Sequence, residues 1–188
     1  VPKRTWEAND MQTVNLQDTA QRALEAMRSQ GFEQVQVGVA LGRQDELNVN
    51  HNEASLLRST ETQKLSLLGL IDGRKASTEL TRLDDDTLRL TVASLFDDAR
   101  SAPQDDANAV SSGQRAHIVQ GPQEADPAVL ADKVSELLDF RARETPRMML
   151  DEAFAAHSLV QSHTLTSGGS ELATSIGSYT MTVFGTAR

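Results

Sequence analysis

The sequence contains no cysteine, which excludes disulfides, a thiolate nucleophile and cysteine-held zinc or iron–sulfur sites. That is compatible with a reducing compartment, and we expect the cytoplasm. Aromatic residues make up only 4% of the chain, so a core has to be assembled from Leu, Val, Ala and Met. Positive charge is also short: 18 Lys and Arg against 27 Asp and Glu give a net charge of −9. The basic residues are scattered, with Lys3-Arg4 the longest cluster. A nucleic-acid surface needs clustered Lys and Arg on phosphates, so no nucleic-acid partner is expected. No apolar run approaches the ~20 residues of a membrane-spanning helix, and we expect neither a membrane partner nor a secretory leader.

What is present is an ordinary globular composition, 38% hydrophobic and 24% charged over 188 residues, enough for one domain or two small ones sharing a core. Asn15 can cap a helix from Leu16, whose apolar face is Leu16, Ala20, Ala23, Leu24 and Met27, and Gly31 stops it. Val35, Val37, Val39 and Leu41 alternate with polar or small residues, the pattern of a half-buried strand. A turn at Gly42-Arg43-Gln44-Asp45 is expected to lead into a second strand carrying Leu47 and Val49. A third strand over 64–71 ends in Asp72-Gly73, a hairpin signal, with 75–79 as its return. Strands joined by short turns point to an antiparallel sheet.

Asp84, Asp85 and Asp86 open the next helix, where carboxylates favour the positive end of the dipole. Its buried face is Leu88, Val92, Leu95, Phe96 and Ala99. Asp126-Pro127 supplies an N-cap and a first-turn proline for a third helix with the stripe Leu130, Val134, Leu137 and Leu138. Two strands follow at about 147–155 and 158–166, then a turn at Ser167-Gly168-Gly169-Ser170. The last strand sets Tyr179, Met181 and Val183 on one face and Thr180, Thr182 and Phe184 on the other. The expected fold class is α+β: antiparallel sheet with about three helices. Residues 1–14 are expected to be poorly structured, 15–104 to form a first α+β unit, 105–125 a surface connection, and 126–188 a second α+β unit cut off at its last strand. With Val1 in place of Met, the chain reads as a piece of a longer protein. A shift of 114 residues lays Leu16, Ala20, Ala23 and Leu24 on Leu130, Val134, Leu137 and Leu138, and Leu65 on Tyr179. An internal α-β-β-β duplication is therefore expected.

Chemical motifs are missing. His157 and His163 are six apart, which on a strand separates them by about 20 Å and on a helix by about 240°. Neither arrangement brings two imidazoles within the ~2.1 Å of one metal ion, so both are expected at the surface. No serine sits in a G-x-S-x-G elbow, and there is no P-loop or G-x-G-x-x-G. No pair of carboxylates is singled out as acid and base. We therefore assign no catalytic, cofactor-binding or metal-ligating residue.

The order of elements carries more information. The segment 61–80 ends in Asp72-Gly73-Arg74-Lys75-Ala76-Ser77-Thr78-Glu79-Leu80, and the helix after it exits through Ala99, Arg100, Pro103 and Asp105. With the helix–strand opening at 31–49, Asp126-Pro127 and the bend at Ser167-Gly168, these phrases resemble the N-terminal region of the PmbA/TldD family over 16–188. The loop at 106–125 departs from that pattern in lacking aromatic residues. The resemblance implies a part of a zinc metallopeptidase assembly, also called modulator of DNA gyrase, in which TldD-type and PmbA (TldE)-type subunits pair as a heterodimer and handle unfolded peptides. The family's zinc motif, HExxxH, has no counterpart here, so no cofactor is expected in this chain and zinc is implied for the TldD-type partner or a C-terminal domain. The expected function is thus a non-catalytic N-terminal domain, inactive alone, that shapes the substrate chamber and the subunit contact. Its expected partners are the C-terminal domain of the same protein, a paralogous subunit or itself, and unfolded peptide. An alternative is a stand-alone module that captures extended peptides on a sheet edge.

Overall fold

The structure, a computed structural model, describes residues 15–187; the expectation for 1–14 lies outside them. In chain order the elements are α1 (Leu16–Gln30), β1 (Gln34–Asn50), β2 (Glu53–Ile71), β3 (Arg74–Leu80), α2 (Asp85–Ser101), β4 (Arg115–Gln120), α3 (Pro127–Glu144), β5 (Met148–Thr166) and β6 (Glu171–Ala187). The six strands form one sheet in the order β3-β2-β1-β5-β6-β4. Every pairing is antiparallel except β4 with β6. The fold is α+β.

Local chemistry sets the helix ends. The Asn15 side chain accepts the Asp18 amide at 3.1 Å, and Gly31 closes α1 at φ 111°, a left-handed conformation that suits glycine. Asp84 caps α2 and Asp126 caps α3, with Pro127 in its first turn. Alternation along the strands then decides the packing. Val35, Val37, Val39, Leu65 and Leu67 point to one side, where Ala20, Ala23 and Met27 of α1 and Leu88, Val92 and Leu95 of α2 cover them. Farther along the same side, Leu130 and Val134 of α3 cover Val49, Leu150, Ala153 and Ala155. No helix among the described residues lies on the other side of the sheet.

Four expectations need correction. The turn expected at Gly42-Arg43-Gln44-Asp45 is absent, because β1 runs through it and stays paired to β2 and β5. The reversal comes at His51 and Asn52, with φ of 50° and 68°, the left-handed pair of a two-residue hairpin. The two strands expected at 147–155 and 158–166 are one, β5, whose Ala155, Ala156 and His157 are all buried. Small buried residues on both faces hid its alternation. The connection at 105–125 is exposed but carries β4, which adds to the sheet edge. No helix among the described residues is long and apolar enough to cross a membrane.

The fourth correction concerns the repeat. A shift of 114 residues lays α1 and β1 on positions inside α3 and β5. Because β1 and β5 are antiparallel, the two units are related by a local two-fold beside the paired residues Gln44 and Ser158. The shift then changes at the hairpins, since His51-Asn52 is tighter than the turn from Ser167 to Ser170. Val39 faces Leu65 in one unit and Ala153 faces Val183 in the other, so Leu65 corresponds to Val183 and not to Tyr179. The expected unit counted three strands because it split β1 and β5 in two, and each is continuous; the flanking strands do not repeat, since β3 follows β2 antiparallel, whereas β4 precedes α3 and runs parallel to β6. The shared unit is α-β-β.

Candidate functional site: the uncovered face of the sheet

Even-numbered residues of β1 point away from the helices, and the sequence there is small or polar: Gln36, Gly38, Ala40, Gly42, Gln44, Glu46 and Asn48. Ser66 of β2, Ser77 of β3, and Ser162 and Thr164 of β5 lie beside them. Together Gln36, Gly38, Ala40, Ser66, Ser77, Ser162 and Thr164 line a shallow groove of about 530 Å³. Short side chains leave strand backbone near the surface, open to a segment laid across it. One ion pair, Lys64 with Glu79 at 3.0 Å, closes the β3 end.

Farther along the face, Glu46 is only 5% exposed. Gln44 Nε2 donates to its Oε2 at 2.7 Å, Asn48 Nδ2 to its Oε1 at 3.1 Å, and Arg58 reaches Oε1 at 2.5 Å. Burial opposes ionisation, yet the Asn48 and Gln44 amides and the Arg58 guanidinium together hold the carboxyl below the ordinary glutamate value. Sequence reasoning missed this residue, one acid among 27. Its signal was local: Gln44, Glu46 and Asn48 at period two place three hydrogen-bonding groups on one strand face.

Two histidines expected at the surface, His157 and His163, are buried instead. His157 is 1% and His163 8% exposed, because both point to the helix side of β5 and not to solvent. His157 Nε2 donates to the Pro122 carbonyl at 2.8 Å, and its ring lies 4.9 Å from that of Tyr179. Its Nδ1 is buried without a hydrogen-bond partner. Tyr179 in turn accepts the Asp126 amide at 2.8 Å, so the two rings anchor the segment leading into α3. Asp45 faces His157 across β1 and β5. Burial would raise the Asp45 pKa, but the Ser59 hydroxyl at 2.6 Å and Arg43 at 2.9 Å hold it below its usual range. His163 Nε2 lies 3.3 Å from Glu171 without the geometry of a hydrogen bond.

Among the described residues no three His, Cys, Asp or Glu side chains converge on one point. His157 is engaged at Nε2 and His163 lies six residues along the same strand, so these residues do not fit a zinc site. The serines at the β5–β6 turn are structural. Ser167 Oγ accepts the Val35 amide at 2.9 Å and Ser170 Oγ the Gln114 amide at 3.1 Å, tying the turn to β1 and to the connection. Asp84 accepts the Thr87 amide at 2.9 Å, and Asp85 and Asp86 pair with Arg22 and Arg89.

The described residues thus form a six-stranded sheet with three helices on one side and a polar face on the other. No protein-family model matches the chain, and no curated protein matches it in sequence. Its fold is nevertheless that of part of three solved structures. TldE from Thermococcus kodakarensis is 16% identical with a TM-score of 0.71, covering 90% of this chain and 39% of its own. A candidate modulator of DNA gyrase from Bacteroides thetaiotaomicron is 17% identical with a TM-score of 0.76, covering 95% of this chain and 42% of its own. A second candidate modulator of DNA gyrase, from Thermotoga maritima, is 13% identical with a TM-score of 0.63, covering 92% and 40%. The chain thus spans about two fifths of the solved proteins it matches, and the likeness read from its phrases is met at the level of the fold.

Proposed function

We propose that this chain is a non-catalytic domain of a PmbA/TldD-type metallopeptidase assembly, acting in the cytoplasm, whose uncovered sheet face forms part of the wall that an unfolded peptide meets. The observation that carries the reading is the fold itself, matched over 90–95% of this chain by TldE and two candidate gyrase modulators. The face suits that role chemically. A groove of Gly38, Ala40, Ser66 and Ser162 offers no deep side-chain pocket, so it would accept a main chain with little regard to sequence. Hydrolysis is assigned to residues outside this chain, because among the described residues no three His, Cys, Asp or Glu side chains converge as a metal ligand set.

The test is to titrate the chain into a fluorescent, unstructured peptide and to assay cleavage of the same peptide with and without added zinc. Weak, sequence-tolerant binding that Ala40→Arg reduces about tenfold, with no cleavage, is the expected result. Cleavage by the chain alone, or binding that Ala40→Arg leaves untouched, would reject the reading.

A further inference from the structure

The uncovered face is not polar throughout. Its charged side chains gather on one half: Glu46 of β1, Arg58 and Lys64 of β2, and Lys75 and Glu79 of β3. The positions that share this face on β5 from 154 to 166, on β6 from 172 to 182 and on β4 carry no charge. Apolar side chains stand there in the open instead. Val160 of β5 faces Ile176 of β6, and Leu172 lies on the same side of β6. Ile118 of β4 faces Thr174, between Leu172 and Ile176. These four are 38% to 47% exposed. The two hydroxyls in their midst, Ser162 and Thr174, hydrogen-bond each other at 2.7 Å. The patch adjoins the groove directly: Ser162 and Thr164 line the groove, and Gly42 of β1 faces Val160.

We propose that this patch binds the apolar side chains of the unfolded segment whose main chain lies in the groove, so that the ligand class is uncharged, apolar-rich peptide. The inference rests on the reading of the groove as a peptide-binding face and deepens it. Short side chains in the groove leave the order of residues unread, and the patch adds a preference for one class of side chain. Strands lie about 4.8 Å apart, so a main chain over Gly38, Ala40 and Gly42 sets its side chains within reach of Val160 on the next strand and Ile176 on the one after. Charge selects this occupant. A carboxylate or ammonium pressed on the patch loses water and meets no counter-charge, whereas an apolar side chain gains by its burial. At a net −9 the chain also repels acidic segments and further copies of itself.

Three unstructured fluorescent peptides of one length provide the test: one carries Val and Leu among Gly and Ser, one has Ser at those positions, and one has Glu. Each is titrated into the chain, into the double variant Val160→Thr with Ile176→Thr, and into Leu172→Thr. Leu56→Thr is the control, since Leu56 is 53% exposed on the same face but lies on β2. The apolar peptide is expected to bind at least about tenfold more tightly than the serine peptide, with the glutamate peptide weakest at low and high salt alike. The double variant is expected to bring the apolar peptide down to the serine level and Leu172→Thr part of the way, with the serine peptide unchanged in both. Leu56→Thr should leave all three affinities in place. Equal affinity for the apolar and serine peptides overturns the inference, and Ala40→Arg still weakening both would leave the groove reading standing. An apolar preference that survives both patch variants, with their circular dichroism unchanged, also overturns it. Binding of neither peptide rejects the groove reading and this inference with it. Self-association that the patch variants abolish, without any peptide preference, overturns it as well and assigns the patch to a second copy.

Discussion

Glu46 and Arg58 face each other across β1 and β2, and their side chains meet at 2.5 Å on the side of the sheet that no described helix covers. The pair is asymmetric: the carboxylate side chain is 7% exposed and the guanidinium 58%. A buried charge that loses its partner costs more than the pair contributes, but the exposed arginine limits that cost. Arg58→Ala is expected to destabilise by roughly 1–2 kcal/mol in urea unfolding. Because the Glu46 carboxyl is held below its ordinary value, its contribution is complete above the unfolded glutamate range and is lost as pH falls through the lowered folded value. Glu46→Gln should therefore flatten part of the acid limb of the stability profile, while wild type stays steeper there. An acid limb unchanged in Glu46→Gln would contradict this account.

Gly69 lies under the Phe32 ring, and a Cβ added there would meet three ring atoms. The ring cannot swing away, since it is 4% exposed and packs edge-on against Phe96 with centroids 5.2 Å apart. Gly69→Ala is expected to lose about 1–3 kcal/mol through overpacking. Adding Phe32→Leu should recover part of it, and a double-mutant cycle in denaturant measures the coupling. Strict additivity would mean that the ring is not the obstacle.

The Pro122 carbonyl has His157 as its hydrogen-bond donor at 2.8 Å. His157→Leu keeps the volume of the site but leaves that carbonyl without its donor, at an expected cost of about 1–3 kcal/mol. The loss should be local as well: amide exchange at Asp126, held by Tyr179 at 2.8 Å, is expected to accelerate more than that of the α1 core. Equal acceleration everywhere would point to global destabilisation alone.

At the far end of β1, Asn52 sits at φ 68° and its side-chain oxygen accepts the Leu150 amide at 2.7 Å. Asn52→Gly retains the turn and removes the bond, whereas Asn52→Ala removes the bond and adds left-handed strain. Thermal unfolding should rank them wild type, then glycine, then alanine, with about 1 kcal/mol between the two variants. An alanine variant as stable as the glycine one would show that the turn relaxes.

The sequence by itself determined the elements whose signals are local. Asn15, Gly31, Asp84, Asp126 and Pro127 place the helix ends through hydrogen bonds and φ angles available within a few residues. Val35, Val37 and Val39 mark their strand by alternation, and Asp72-Gly73 marks a hairpin by its left-handed preference. Tertiary structure decided what depends on partners far along the chain. Whether Gly42 turns or stays extended is settled by β5, which pairs with β1 from more than a hundred residues away. Arg115–Gln120 has little apolar pattern of its own and becomes a strand because β6 offers it an edge. Glu46 is one acid among many until Arg58 and two amides close around it, and His157 is polar in sequence but buried in space because the segment before α3 crosses over it. Those are desolvation and pairing effects, and they exist only once the sheet is assembled.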